Sequence, residues 1–189
     1  MFRRLRIILI TFKCWILNRR HIHLEGFQDL STSTIISLKN GKLRLGTRIK
    51  TYPHVSFYVC GGDLSIGKRT TFNCNCMITC RNKISIGERC AFGPNTLIYD
   101  HDHKYDYDGF RSDEYNTNPV VIENGCWIGA NVIILKGTHI GECSVIGAGT
   151  ILKGNIPPHS LVYSTSRELI IKKIPQIKNT SEMKDITCG

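Results

Sequence analysis

Six aliphatic residues stand at a fixed interval along the second half of the chain: Ile122, Ile128, Ile134, Ile140, Ile146 and Leu152, one every six positions. A period of six matches neither the 3.6 of a helix nor the strict alternation of a long half-buried strand. Short strands joined by tight corners do satisfy it, because each sixth side chain then points inward, and three such faces close one triangular coil.

Glycine follows the aliphatic in Ile128-Gly129, Ile140-Gly141 and Ile146-Gly147, where a corner needs backbone freedom and the next coil passes close by. A small or β-branched residue precedes it by two, at Cys126, Val132, Thr138, Ser144 and Thr150. The phase continues upstream through Ile86-Gly87, Phe92-Gly93 and Ile98. A shifted phase runs through Ile66-Gly67, Phe72, Ile78 and Ile84, and Leu45-Gly46 reads as an earlier, looser coil. This hexapeptide pattern predicts an all-β fold, a parallel β-helix whose coils are stable only when stacked and whose open ends need caps. Three segments follow: a terminal cap over 1–40, the β-helix over 41–163, and a second cap and tail over 164–189.

Composition narrows the reading. A chain of 189 residues with 41% hydrophobic and 21% charged residues is one globular domain. Of the net charge of +10, the first fifty residues carry +9, eleven Lys and Arg against Glu25 and Asp29. Charge gathered at one end, rather than interleaved with aromatics along a face, argues against nucleic acid as a partner. Leu5, Ile8, Leu9, Phe12, Trp15 and Ile16 share one helical face with basic residues mostly off it. Such a segment either caps the core or lies on an anionic membrane surface, and it is too short to span one. Nine cysteines, an odd number without paired CxxC modules, predict reduced thiols in a cytoplasm. Cys76, Cys90 and Cys126 occupy the narrow inward slot two residues before a core residue, a packing role. Cys74, Cys76 and Cys80 would point in different directions, so no metal is expected there.

The repeat stops between Ile98 and Ile122, predicting a protruding loop over about 99–119. It is rich in ionisable and aromatic side chains, beginning Tyr99-Asp100-His101-Asp102-His103-Lys104-Tyr105-Asp106, and function in solenoids is carried by such insertions.

Gly93-Pro94-Asn95-Thr96 with His103 ten residues after Gly93, Trp127-Ile128-Gly129-Ala130-Asn131-Val132, and Val145-Ile146-Gly147-Ala148-Gly149-Thr150 leading to Ile156-Pro157-Pro158 together resemble one family. It is the left-handed β-helix, hexapeptide-repeat acyltransferases, nearest to galactoside, maltose and polysaccharide O-acetyltransferases, matched over roughly 45–158. The resemblance implies a left-handed coil, a homotrimer, acetyl-CoA as co-substrate in a groove between prisms with no permanently bound cofactor, and a sugar acceptor. It implies His103 as general base. A sugar hydroxyl must lose its proton as it attacks the thioester, and an imidazole titrates near neutrality. It further implies Asn73 and Trp127 near the acceptor, and Gly129, Ala130, Ala148, Gly149 and Lys153 along the coenzyme. Asp100 or Asp102 would orient a ring nitrogen, and Asp100 is also a candidate contact to substrate. His101 competes with His103 for the role of base.

Departures from the family pattern matter too. Lys153-Gly154 replaces a common Thr-Lys pair, and Ser164-Thr165-Ser166-Arg167 replaces a frequent Gly-Asn-Pro-Ala segment. An aspartate common after the acceptor asparagine is missing, with Cys80 and Arg81 in its neighbourhood, which implies an acceptor unlike galactosides; Arg81 suits an anionic sugar. The reading is therefore sugar O-acetylation, in the synthesis of capsule, O-antigen or exopolysaccharide, in the cytoplasm or at the inner face of the membrane. The alternatives are N-acetylation of an amino sugar, a zinc carbonic anhydrase drawing on His54, His101, His103 and His139, and a non-catalytic scaffold.

Overall fold

The computed structural model describes residues 21–164. The basic amphipathic segment over 1–20 and the tail from 165 onward lie outside the described residues. Twenty-one strands and no helix make up the described chain. Three parallel sheets form the faces of a prism: sheet A in the order β1 (Ile22–Leu24), β3 (Lys42–Leu45), β6 (Asp63–Ile66), β9 (Lys83–Ile86), β14 (Val120–Ile122), β17 (His139–Ile140), β20 (Asn155–Ile156); sheet B in the order β21 (Leu161–Val162), β18 (Val145–Ile146), β15 (Trp127–Ile128), β10 (Ala91–Phe92), β7 (Thr71–Phe72), β4 (Lys50–Thr51); and sheet C in the order β19 (Ile151–Leu152), β16 (Ile133–Ile134), β11 (Leu97–Tyr99), β8 (Met77–Cys80), β5 (Ser56–Cys60), β2 (Ile35–Lys39). Successive coils contribute one strand to each face, so that Phe72 (β7, Thr71–Phe72), Phe92 (β10, Ala91–Phe92), Ile128 (β15, Trp127–Ile128) and Ile146 (β18, Val145–Ile146) lie in register up sheet B. This is the parallel β-helix of hexapeptide repeats that the six-residue period predicts.

The core is the stack of those inward residues. Leu43, Leu45, Ile49, Val55, Phe57, Leu64, Phe72, Ile84, Ile128, Ile134 and Ile140 are wholly enclosed. Phe72 stacks on Phe92 with ring centroids 4.6 Å apart and meets Phe57 edge-on. Cys76, Cys80, Cys90 and Cys126 are buried among them, as small apolar side chains in narrow slots. Burial pushes the Cys76 thiol up to about 11. Glycines lie where adjacent coils nearly touch: a Cβ on Gly93 would stand 2.6 Å from the Ala130 nitrogen, and one on Gly129 2.7 Å from that of Ala148.

The shifted phase has a local cause. Ile66 pairs with Ile86, twenty residues on, whereas Ile128 pairs with Ile146, eighteen on. The longer coils carry two extra residues at the edge between sheets C and A, so both Ile84 and Ile86 of β9 (Lys83–Ile86) point inward. The β-helix also begins earlier than residue 41. β1 (Ile22–Leu24) pairs in parallel with β3 (Lys42–Leu45), and β2 (Ile35–Lys39) with β5 (Ser56–Cys60), which makes residues 22–40 the first coil rather than a separate cap. Leu24, Leu30 and Ile36 keep the six-residue spacing there, but no glycine follows them to advertise it.

Candidate functional site

The interruption of the repeat is an ordered antiparallel hairpin, β12 (His101–Asp106) and β13 (Gly109–Thr117), not an irregular loop. Its turn is Tyr107-Asp108. Gly109 has φ 118°, a conformation open to glycine, and the Asp108 N–H donates to Asp106 Oδ1 at 3.0 Å. The break in the repeat predicts only a protruding loop here, although Asp108-Gly109 is a turn signal that could have suggested a hairpin. Ion pairs tie it together and to the prism: Lys104 to Glu114 at 3.0 Å, and Lys136 to Asp102 at 3.1 Å. The prism itself runs on beneath it, because β14 (Val120–Ile122) pairs with β9 as if nothing intervened.

The hairpin places the two histidines in different surroundings. His103 is exposed, opposite Tyr115, with ring centroids 4.6 Å apart. Its Nδ1 lies 3.1 Å from the Arg111 carbonyl oxygen. A carbonyl can only accept, so Nδ1 carries the hydrogen, and in the neutral ring the lone pair is on Nε2. His101 is nearly enclosed, its side chain 10% exposed, and its Nδ1 lies 3.0 Å from Asp100 Oδ1.

Asp100 has no exposed surface and so does not reach a substrate, contrary to the sequence expectation. Its carboxylate accepts from the backbone N–H groups of Arg81, at 2.9 and 3.1 Å, and Asn82, at 2.7 Å, besides His101. Burial raises its pKa, but the His101 and backbone hydrogen bonds outweigh that and hold the carboxyl below the usual range. Asp100 therefore orients His101 and fixes the root of the hairpin, as a carboxylate orients the histidine of a triad. Asp102 is bound to Lys136 and orients neither ring.

The remaining candidates lie elsewhere on the prism. Asn73 follows β7 at the edge between sheets B and C, and its Oδ1 accepts from the Cys74 N–H at 2.8 Å, a corner-forming bond. Ala130 and Gly149 occupy the same edge two and three coils along, with Gly129 and Ala148 beside them; Gly149 has φ 73°. The asparagines of this edge form a ladder, Asn75 donating to Asn95 at 3.1 Å and Asn95 to Asn131 at 3.0 Å, all three with positive φ. Trp127 is 59% exposed on the outer face of sheet B. Lys153 is exposed at the edge between sheets C and A, the edge from which the hairpin departs. One chain thus presents His103 and Lys153 on one edge, and Asn73 with the small residues on another. The structure does not bring them into one cluster.

His54 lies at the edge between sheets B and C, while His139 is paired with Glu123 at 2.8 Å on sheet A, so the four histidines do not converge within one chain. Among the described residues no three His, Cys, Asp or Glu side chains gather closely enough to hold a metal ion. Sequence reasoning did not foresee the contact of Arg81 with the hairpin. The guanidinium lies 3.5 Å from the centroid of the Tyr115 ring and donates to the Tyr115 hydroxyl at 2.8 Å.

Comparison with known proteins agrees with this architecture. The model of the bacterial transferase hexapeptide (six repeats) family matches residues 119–154. A hexapeptide-repeat-containing acetyltransferase from Vibrio cholerae is 32% identical, with a TM-score of 0.58 over 67% of this chain and 71% of that one; a second structure of it is a complex with acetyl-CoA. Galactoside O-acetyltransferase from Escherichia coli is 32% identical over 103 residues, 54% of this chain and 51% of that protein. A maltose O-acetyltransferase from Clostridium difficile is 26% identical, with a TM-score of 0.52 over 83% of this chain and 68% of that one. The chain belongs to the hexapeptide-repeat acyltransferase family, built on the left-handed β-helix. It spans between about half and two thirds of the length of the curated relatives it matches, from 51% of the E. coli enzyme to 63% of a putative acetyltransferase from Staphylococcus aureus.

Proposed function

We propose that the protein is an acetyl-CoA-dependent O-acetyltransferase acting on a sugar hydroxyl, with His103 as general base. The observation that carries this reading is the bond from His103 Nδ1 to the Arg111 carbonyl, which leaves a basic Nε2 on an exposed hairpin. Nε2 takes the hydroxyl proton as the oxygen attacks the thioester carbonyl, and a tetrahedral oxyanion forms. Its collapse breaks the carbon–sulfur bond, and the proton on the imidazolium passes to the departing coenzyme sulfur.

Because the candidate residues are divided between two edges of one prism, a complete site needs the edge of a second copy against the hairpin edge of the first. The trimer implied by the family supplies that juxtaposition. The small residues Gly129, Ala130, Ala148 and Gly149 would then let the pantetheine arm lie along the coils, and Lys153 would meet a phosphate. An odd number of cysteines without paired CxxC modules and the basic amino-terminal part of the sequence support a cytoplasmic protein working close to the inner face of a membrane.

A second reading assigns the base to His101, favoured by its Asp100 partner at 3.0 Å. The test is coenzyme A release from acetyl-CoA over a panel of sugars, amino sugars and nucleotide sugars, with His103→Ala and His101→Ala beside the unsubstituted protein. We expect His103→Ala to lose roughly 100-fold or more in kcat, within the range of general-base contributions. Loss confined to His101→Ala would transfer the role. Turnover only with amino sugars would change the acceptor to an amine. Absence of turnover and of coenzyme binding would make the protein a scaffold.

A further inference from the structure

A cavity of about 260 Å³ opens along the edge between sheets C and A, lined by Lys39, Asn40, Cys60, Gly61 and Arg81. Its position follows from register: Lys39 pairs with Cys60 and Val59 with Cys80, so Lys39, Cys60 and Arg81 form a column over three successive coils. The hairpin root stacks directly on that column, since the Arg81 N–H donates to Asp100. The lining contains two cations and no carboxylate, and neither Lys39 nor Arg81 has an ion-pair partner among the described residues.

Arg81 is held ready but incompletely satisfied. Of its five side-chain N–H donors one goes to the Tyr115 hydroxyl, and Nε is buried without a hydrogen-bond partner. A buried donor left unmade costs free energy that an incoming acceptor would recover. The Tyr115 ring that carries the guanidinium also touches the His103 ring. Tyr115 therefore links the candidate base to an arginine that lines the cavity. The volume falls below the ~300 Å³ at which pockets begin to enclose whole small molecules, so the cavity is sized for a charged substituent, not for an entire acceptor.

We propose that this cavity is an oxyanion subsite for the acceptor, taking a carboxylate or phosphate group of the sugar between Arg81 and Lys39 while the hydroxyl to be acylated reaches His103. The inference rests on the transferase reading for its second half only. A planar guanidinium offers paired donors to either oxyanion, and Lys39 adds a point charge.

Two measurements on the full chain test it. Calorimetric titration with inorganic phosphate and, separately, with glucuronate reads the subsite without catalysis. We expect saturable binding of at least one, weakened roughly ten- to hundredfold in Arg81→Gln, the range lost with a charge-assisted hydrogen bond. Lys39→Ala, which leaves the hairpin contacts alone, should weaken it as well. Coenzyme A release is then compared for a hexose, the matching uronic acid and the matching sugar phosphate. The anionic-to-neutral ratio of kcat/KM should exceed ten and collapse at least tenfold in both variants, and the preferred anion tells carboxylate from phosphate. Binding of neither anion, or a ratio indifferent to both substitutions, overturns the subsite while leaving the transferase standing. Anion binding that depends on Arg81, without coenzyme A release from any acceptor, keeps the subsite and overturns the transferase.

Discussion

Replacing Asp100 by alanine tests whether one buried carboxylate holds the hairpin to the prism. The substitution leaves the backbone N–H groups of Arg81 and Asn82 without the acceptor they have at 2.7–3.1 Å, and releases the His101 ring. Each orphaned buried donor costs about 1–3 kcal/mol, so a total loss of roughly 3–5 kcal/mol follows, in line with breaking other buried charged pairs. For a chain of this size that is a fall in Tm of about 10 °C, read by calorimetry or circular dichroism. Asp100→Asn should cost less, because the amide keeps one acceptor for the two backbone donors and His101 can change tautomer to accept from its NH₂ group.

The pH dependence has a definite sign. The folded carboxyl titrates below its ordinary value of 3.8, so its contribution is fully present above that value and is lost as pH falls through the lower folded value. Stability of the unsubstituted protein should therefore drop on acidification below about pH 4, more steeply than that of Asp100→Asn. An Asp100→Ala protein within ~1 kcal/mol of the original, with an unchanged acid limb, would refute the reasoning.

Other positions make separate predictions. Gly93→Ala drives a methyl to 2.6 Å from the Ala130 nitrogen and should cost about 1–3 kcal/mol by denaturant titration, the usual penalty of overpacking. Asn95→Ala keeps φ at 59° without the amide ladder and should destabilise by roughly 1–2 kcal/mol, whereas Asn95→Gly should lose less, having no Cβ to strain. In the native protein iodoacetamide should modify exposed Cys143 and spare Cys76, whose thiol is buried and pushed up to about 11; mass spectrometry of digests reads both sites.

The coils were legible because burial is periodic. Ile122 to Leu152 mark six successive inward positions, and the glycines mark where backbones must pass within a few ångströms. The first coil was missed because Leu24, Leu30 and Ile36 keep the spacing without the glycine. The two-residue shift between the phases was visible, but its cause, a longer corner between sheets C and A, is a matter of closure in three dimensions. At the site, sequence proximity could not distinguish Asp100-His101 from Asp102-His103. The distinction lies in which carboxylate falls beneath the hairpin, where the N–H groups of Arg81 and Asn82 receive it, and which remains outside, within reach of Lys136. The contact of Arg81 with Tyr115 joins residues thirty-four apart and no local pattern announces it.

The hairpin also sets the order in which the fold can close. Elsewhere a coil finds its partner sixteen to twenty-one residues back, as in His139 with Asn155, Trp127 with Val145 or Lys42 with Asp63. Across the insertion the interval stretches to thirty-six, from Ile84 to Val120. A chain emerging from the ribosome can lay each new coil on the last with a short and nearly constant loop closure, until it reaches Tyr99. There assembly must wait for the hairpin to form, and the exposed upper rim of β9 stays unpaired meanwhile. Co-translational folding should therefore pause at this one junction, with the amino-terminal coils already stacked and the carboxy-terminal ones not yet begun.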